Sequence, residues 1–337
     1  MDNNILIIGR SNIGDVCYDL LLVKALREHF LNAKISFLTS SHSANIVDGY
    51  PGVSRIVTFD KHLKDKGLSG RMRLMSLLNK QKFSLAIVLR STLMHKFLNI
   101  PVSWSFQDCC RKYKLALKKN HIVDAYLQFL KINNVSVGQP LFNFRLACEE
   151  DDFSKTFLKK HKINSTDKFI TILPFSAWSL KNWPVAKWNE LAGKLNKKYQ
   201  IRLINLSKKS SNYPACNLSK QISQDIVSGE ETTLKQAMAL IKRSSLFIGP
   251  DSSLLHLSSC LGVETIGLYG PTSIERFYPY FHRKDVMTAR KKRDCVFCYP
   301  YGKKRLCDKE FVYGACMEDI EVDDVVEKVE KKLGTTE

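Results

Sequence analysis

LFIGPDSSLLHLSSCLGVETIGLYGPT, residues 246–272, is the stretch on which the fold turns. With Ser245 in front, SLFIG (245–249) is a short apolar run that stops at Gly249. A polar loop follows, residues 253–261 read as a helix, and VETIGLY (263–269) is a second apolar strand closed by Gly270-Pro271-Thr272. Strand, helix and strand in this order form the unit of a parallel α/β sheet. Loop, helix start and turn then meet at the carboxyl ends of the strands, the edge where open α/β sheets bind ligands. A helix opening there offers unpaired N–H groups and the positive end of its dipole, which favours phosphate. Asp251, Ser252 and Ser253 supply acceptors and hydroxyls, and His256 lies one turn in. The plainer reading makes Asp251 and Ser252 capping residues and His256 a satisfied histidine.

The same alternation extends on both sides. Towards the C-terminal half it includes strands at 169–175 and 201–206, a helix led by Pro184 and running to about Lys198, a helix near 233–243, and a charged helix over 319–333. The loop LPFSAWSLKNWP (173–184) carries Ser176, Lys181 and Trp183. A lysine between a strand and a Pro-led helix suits a diphosphate, although an exposed lysine is the commoner case. The N-terminal half repeats the pattern: strands at 4–9, 34–38, 55–59 and 84–90, with a helix over 15–30 whose Leu20, Val23, Leu26 and Phe30 share a face. SNIGDV (11–16) follows the first strand. Gly14 permits a tight turn, and Asp15 falls at the ligand-binding edge, either as a functional carboxylate or as a helix cap. The spacing G-x-G-x-x-G of a dinucleotide site is absent. The charged stretch 149–162 reads as the junction, giving two α/β domains, 1–150 and 151–337.

A length of 337 residues fits two domains. Lys and Arg number 52 against 33 Asp and Glu, a formal charge of +19. Segment 61–119 holds fourteen of the bases and only two acids, Asp65 and Asp108, so it alone carries +12. Arg90, Arg111, Lys112, Lys114, Lys118 and Lys119 belong to it. Such an excess is either a solvated face or a dock for a polyanion. No zinc-finger, RNP-type or KH-type pattern accompanies it, so nucleic acid is not the expected partner. No run approaches the roughly 18 apolar residues of a membrane span. The N-terminus reads as a strand rather than a secretory leader, so secretion is not expected. Cys295-x2-Cys298, Cys307 and Cys316 can bind a structural zinc as thiolates or stay reduced and unliganded.

Taken together, the first strand with GDV, KNWP at 181–184, the block at 246–272, HIVDAYLQFL at 121–130 and Cys316-Met317 resemble glycosyltransferase family 9, the ADP-heptose:lipopolysaccharide heptosyltransferases. The resemblance implies a GT-B architecture, two Rossmann-like domains with parallel sheets facing across a cleft. The acceptor would bind the N-terminal domain and the nucleotide-sugar the C-terminal one. It implies inverting transfer without a divalent metal or other cofactor, with Asp15 as general base and Lys181 on phosphate. Ser176, Asp251, Ser252, Ser253 and His256 would line the donor, and Asn12, Gly14, Arg90, Arg111 and Lys112 the acceptor. The implied donor is ADP-heptose and the implied acceptor an anionic glycolipid. The implied location is cytoplasmic, peripheral on the inner membrane. Ser253 stands where the family has glycine, Pro250 precedes the Asp, and the loop at 207–213 is basic where the family often has an acid. These departures motivate the alternative of a relative that binds nucleotide or glycan without turnover.

Overall fold

The computed structural model describes residues 4–60, 65–115, 120–140, 142–208, 221–290, 293, 295–301, 307 and 313–334. The chain divides into two compact units, Met1–Arg145 and Leu146–Glu337. In the first, strands β1 (Asn4–Ile8), β2 (Lys34–Thr39), β3 (Val53–Thr58), β4 (Leu85–Val88) and β5 (Val102–Ser105) form one parallel sheet in the order β3-β2-β1-β4-β5. Ile5 to Ile8 and Leu85 to Val88 are buried on both faces, which is why they read as unbroken apolar runs. Helices α1 (Ile13–Asp19), α2 (Leu21–His29), α3 (Ser41–Val47), α4 (Gly67–Asn79), α5 (Phe106–Lys112) and α6 (Ile122–Ile132) complete the unit. The single helix expected over 15–30 is two segments that meet at Leu20, whose own backbone stays helical at φ −65°, ψ −17°. Leu20, Val23 and Leu26 are buried, as their spacing requires.

Helix α4 had no clear signature in the sequence. Its Leu74 and Leu78 are buried while Leu68 and Met72 stand exposed, so apolar residues fall on opposite faces and blur the period of 3.6. Strand β5 is a short edge strand behind Pro101, with only Val102 and Trp104 as large apolar residues.

The second unit has strands β6 (Phe169–Ile172), β7 (Arg202–Asn205), β8 (Ile226–Ser228), β9 (Leu246–Pro250), β10 (Thr265–Leu268) and β11 (Val286–Met287). They form a parallel sheet in the order β11-β10-β9-β6-β7-β8. Its longer helices are α7 (Cys148–Lys160), α8 (Val185–Tyr199), α9 (Leu234–Arg243), α10 (Ser253–Cys260) and α11 (Val322–Leu333). The charged stretch near 149–162, read as the junction, follows directly on the division between the two units. It is α7, which buries Ser154 and Leu158 and is tied to α9 by Arg243 on Asp151 at 2.5 Å. One core cluster joins Trp183 and Trp188, edge to face at 5.1 Å, with Val322, Val325 and Val329 of α11. Trp183 Nε1 donates to the carbonyl of Ile320 at 3.0 Å, so the tryptophan of KNWP serves packing.

In each sheet the strand order reverses once: between β1 and β4, and between β6 and β9. At such a switch point the connections leave in opposite directions and open a crevice beyond the strand ends. Leu89 N–H on Ile8 O and Leu173 N–H on Ile248 O, both 3.0 Å, close the ladders immediately before those crevices.

Candidate functional site

The switch point of the second sheet gathers the residues expected to meet a donor. Strand β9 delivers Asp251 and Ser252. Strand β6 leads into the loop holding Ser176 and Lys181. Asp251 is the hub: Lys181 Nζ donates to its Oδ2 at 2.8 Å and to its backbone carbonyl at 3.1 Å, and His256 Nε2 lies 3.0 Å from its Oδ1. Burial alone would push the Asp251 carboxyl up. The hydrogen bond from His256 and the charge of Lys181 outweigh it and hold the group below the ordinary carboxylate range. An ionised carboxylate only accepts, so His256 carries its proton on Nε2 in this pair. Lys181 Nζ also lies 5.7 Å from the centre of the Trp178 ring. An ammonium has three N–H donors, and Asp251 takes two.

The serines divide their work differently from the simplest expectation. Ser252 is the N-cap of α10, its hydroxyl accepting from Leu255 N–H at 3.4 Å, and Ser253 is the first helical residue. Ser176 is bound to Asn182, which accepts from its N–H at 2.7 Å and lies 2.8 Å from its Oγ. Asn182 is buried and holds the loop that aims Lys181. The Gly270–Thr272 turn ends β10 beside β9. A Cβ on Gly270 would stand 2.6 Å from Cys316 Sγ and 2.7 Å from Met317 Sδ. Glycine is therefore required for the Cys316-Met317 pair to pack beneath the turn. Thr272 Oγ1 is buried with no hydrogen-bond partner among the described residues, a state that costs about 1–3 kcal/mol.

The switch point of the first sheet holds Arg10 and Asp15. Strand β1 is followed by Gly9, where a Cβ would lie 2.6 Å from the Phe37 ring and 3.3 Å from Asp19 Oδ2. Arg10 then binds both acids of α1. It donates from Nη1 to Asp15 Oδ1 and from Nη2 to Asp15 O, both at 2.8 Å. Its Nε donates to Asp19 Oδ1 at 2.9 Å and its backbone N–H to Asp19 Oδ2 at 2.7 Å. Tyr126 of α6 donates its hydroxyl to Asp19 Oδ1 at 2.7 Å. Burial opposes the guanidinium charge, but Asp19, Tyr126 and Asp15 outweigh it and raise the Arg10 pKa further. Asn12 holds the cap position of α1, and its amide donates to Asp15 Oδ2 at 3.1 Å. Asp15 and Gly14 lie in the first turn, so the capping alternative for Asp15 is replaced by a carboxylate fixed by Arg10 and Asn12. Its side chain remains 39% exposed.

Arg90, directly beyond β4, donates from Nη1 to Ser11 Oγ at 3.2 Å. Burial pulls its pKa down. Among the described residues no carboxylate forms an ion pair with it, so its guanidinium is a cation at the crevice edge with charge to offer an anion. Arg111 and Lys112 lie on the exposed last turn of α5. Arg111 pairs with Asp108 at 2.9 Å and Lys112 Nζ sits 5.2 Å from the Tyr113 ring centre. Neither is joined to the Asp15 loop by a hydrogen bond. Lys118, Lys119 and residues 209–213 of the basic loop lie outside the described residues.

The cysteines at 295, 298, 307 and 316 are free thiols. Burial first, then the neighbouring Cys307, Cys295 and Cys298, push the Cys316 thiol up to about 12. Among the described residues no group of three or more His, Cys, Asp or Glu is arranged to hold a metal ion. The segment 297–299 braces the Gly270–Thr272 turn: Phe297 N–H donates to Gly270 O at 3.2 Å and Tyr299 N–H to Pro271 O at 2.9 Å.

Sequence reasoning missed Arg10, Asp19, Tyr126 and Asn182. Asp19 had a signal, a lone acid inside the apolar run CYDLLLV. Tyr126 had none, because its partner lies 107 positions away in the chain, whereas Arg10 and Asn182 meet partners within nine residues through loop geometry that no periodicity encodes.

Known proteins share both the sequence and the fold. The profile of glycosyltransferase family 9 (heptosyltransferase) matches residues 56–303. Lipooligosaccharide heptosyltransferase 2 of Campylobacter jejuni is 24% identical over 330 residues, 96% of each chain. The family 9 glycosyl transferase of Veillonella parvula superposes with a TM-score of 0.83 at 17% identity, covering 100% of this chain and 99% of that one. The ADP-heptose lps heptosyltransferase II of E. coli superposes with a TM-score of 0.74 at 19% identity, covering 99% of both. Two parallel-sheet units with GT-B relatives over their full length, and a profile match running through both units, place the chain in glycosyltransferase family 9: it is a glycosyltransferase of the heptosyltransferase family.

Proposed function

We propose that this protein transfers heptose from ADP-heptose, with inversion, to an anionic glycolipid of the lipopolysaccharide-core type presented at the inner membrane. The observation that carries the reading is the pair of charged constellations at the two switch points. Lys181, Asp251 and His256 form the donor side, and Arg10, Asn12 and Asp15 the acceptor side. The donor diphosphate lies at the start of α10, where helix N–H groups and the remaining Lys181 donor offset the charge that builds on the leaving group. Asp15 takes the proton of the attacking hydroxyl as that oxygen bonds to the anomeric carbon and the ADP–sugar bond breaks. Arg90 receives an anionic group of the acceptor. Metal has no part in this transfer, and two of the late thiols, Cys298 and Cys316, pack against the Gly270–Thr272 turn.

The test is release of ADP from ADP-heptose, run in EDTA, with heptose-lacking core glycolipid as acceptor. Acceptor-dependent ADP release is expected; its absence with ADP-heptose, or an equal rate without acceptor, overturns the reading. Ser253 in the family's glycine position favours one alternative, a protein that binds nucleotide without turnover. That protein would be stabilised by ADP yet silent in this assay.

Two further outcomes are expected. Lys181→Ala should weaken ADP binding at least about tenfold, since a charge-assisted contact to phosphate is lost. This is read as a smaller rise in melting temperature with ADP. Arg90→Gln should raise the acceptor KM roughly three- to tenfold and leave the ADP-induced stabilisation as it is, because Arg90 belongs to the other unit.

A further inference from the structure

The excess charge of segment 61–119 has an apolar counterpart that the transfer chemistry does not use. Of the ten large apolar side chains that stand exposed among the described residues, seven lie between positions 68 and 113. Four are more than half exposed and come from two adjoining elements. Leu68 (72%) and Met72 (61%) are four residues apart on the outer face of α4, and Leu93 (64%) and Phe97 (67%) are four apart on the turn 93–97. The inner faces of both elements close over one buried cluster, in which Leu74 and Leu78 of α4 meet Leu98, with Met75 and Met94 packed against it. Asn79, the last residue of α4, accepts at Oδ1 from Asn99 N–H at 2.9 Å, which ties the end of the helix to the end of the turn. The same two elements carry exposed bases: Lys66 and Lys80 at the two ends of α4, Arg71 within it and Lys96 in the turn.

We propose that the outer face of α4 and the turn 93–97 together dock this protein on an anionic lipid bilayer. Exposed Leu, Met and Phe gain by entering an apolar phase. Long basic side chains beside them keep their charge at the headgroup level while their stems lie along the apolar boundary. Anionic lipid attracts such residues, and the attraction fades within a Debye length. A nucleic acid would answer the charge but offer the four apolar side chains no phase to enter. The net charge of +12 on this segment matches the sign of an anionic leaflet. The proposal deepens the acceptor reading and rests on it for its purpose, which is to bring the first unit to a lipid-anchored acceptor.

The experiment is co-sedimentation of the full chain with phosphatidylcholine vesicles, with and without about 30% phosphatidylglycerol, alongside ADP-induced thermal stabilisation. The wild type should bind the phosphatidylglycerol vesicles and release from them as salt rises to roughly 0.5 M. The triple variant Leu68→Ser/Met72→Ser/Phe97→Ser should partition at least about tenfold less. Its melting temperature and its response to ADP should match the wild type, because these side chains face water. Leu31→Ser, which removes an equally exposed leucine elsewhere, should bind as the wild type does. Absence of binding to anionic vesicles, or equal binding by the triple variant, overturns the proposal. So does release of the vesicle-bound protein by arbitrary duplex DNA with no loss of DNA binding in the triple variant. If vesicle binding fails while ADP still stabilises the protein, the docking face falls and the transferase reading stands. If vesicles bind and ADP does not, the reverse holds.

Discussion

Asp15→Asn is expected to reduce turnover by at least about 10²-fold, the scale of removing a general base. ADP should stabilise the variant as it does the wild type. Asparagine keeps the shape of the side chain and a carbonyl that can still accept from Arg10 or Asn12. What it loses is the capacity to take a proton from the acceptor hydroxyl. The carboxylate is well placed for that step: one oxygen is held by Arg10 at 2.8 Å, the other by Asn12 at 3.1 Å, and the group stays partly exposed. The measurement is single-turnover ADP release at saturating donor and acceptor, with a melting curve beside it. If the variant melts far below wild type and keeps its specific activity, Asp15 is a structural partner of Arg10 and the base lies elsewhere.

The second large effect is expected at Asp19, which no reading of the sequence singled out. Its side chain is fully buried and takes the Arg10 backbone N–H, the Arg10 guanidinium and the Tyr126 hydroxyl. Asp19→Ala removes the counter-charge and leaves the largely buried guanidinium with Asp15 as its one carboxylate partner among the described residues. Breaking a buried ion pair from one side typically costs about 3–5 kcal/mol. Urea denaturation of the full chain should therefore show a clear loss of stability in the transition that reports on the first unit. Asp19→Asn, which can still accept from Tyr126, should lose less. A loss below about 1 kcal/mol for Asp19→Ala would mean that water reaches Arg10 and that the network carries little of the fold. Because Arg10 aims Asp15, activity should fall with stability here. In Asp15→Asn activity should fall nearly alone.

These two residues mark where reading by period and spacing stops. Apolar runs such as NILIIG and SLFIG identify parallel strands because both faces of such strands are buried, so the pattern is local and complete in a few residues. Helix α8 behind Pro184 and helix α10 behind the serine loop are legible for the same reason, since their start signals and apolar stripes lie within one segment. Helix α4 is not, because its exposed Leu68 and Met72 imitate a second buried face. The charged stretch 149–162 reads as a junction because α7, which follows the division between the units, fully buries only Ser154 and Leu158.

The sequence by itself determined the α/β class and the resemblance to the family, since each rests on residues adjacent in the chain. It also supplied Asp15, Lys181, Asp251 and His256 by residue type and position. Only the tertiary structure decided what those residues do to one another. Asp251 became the hub between a lysine 70 positions before it and a histidine five after it. Asp15 was tied to Arg10, and the charge of Arg10 was balanced by Asp15 and by Asp19, which a tyrosine from α6 holds in place. The physical reason is range. Burial patterns and caps are written within a turn or two of chain, whereas the charge of a buried group is set by whatever the fold brings within a few ångströms of it, however distant in sequence.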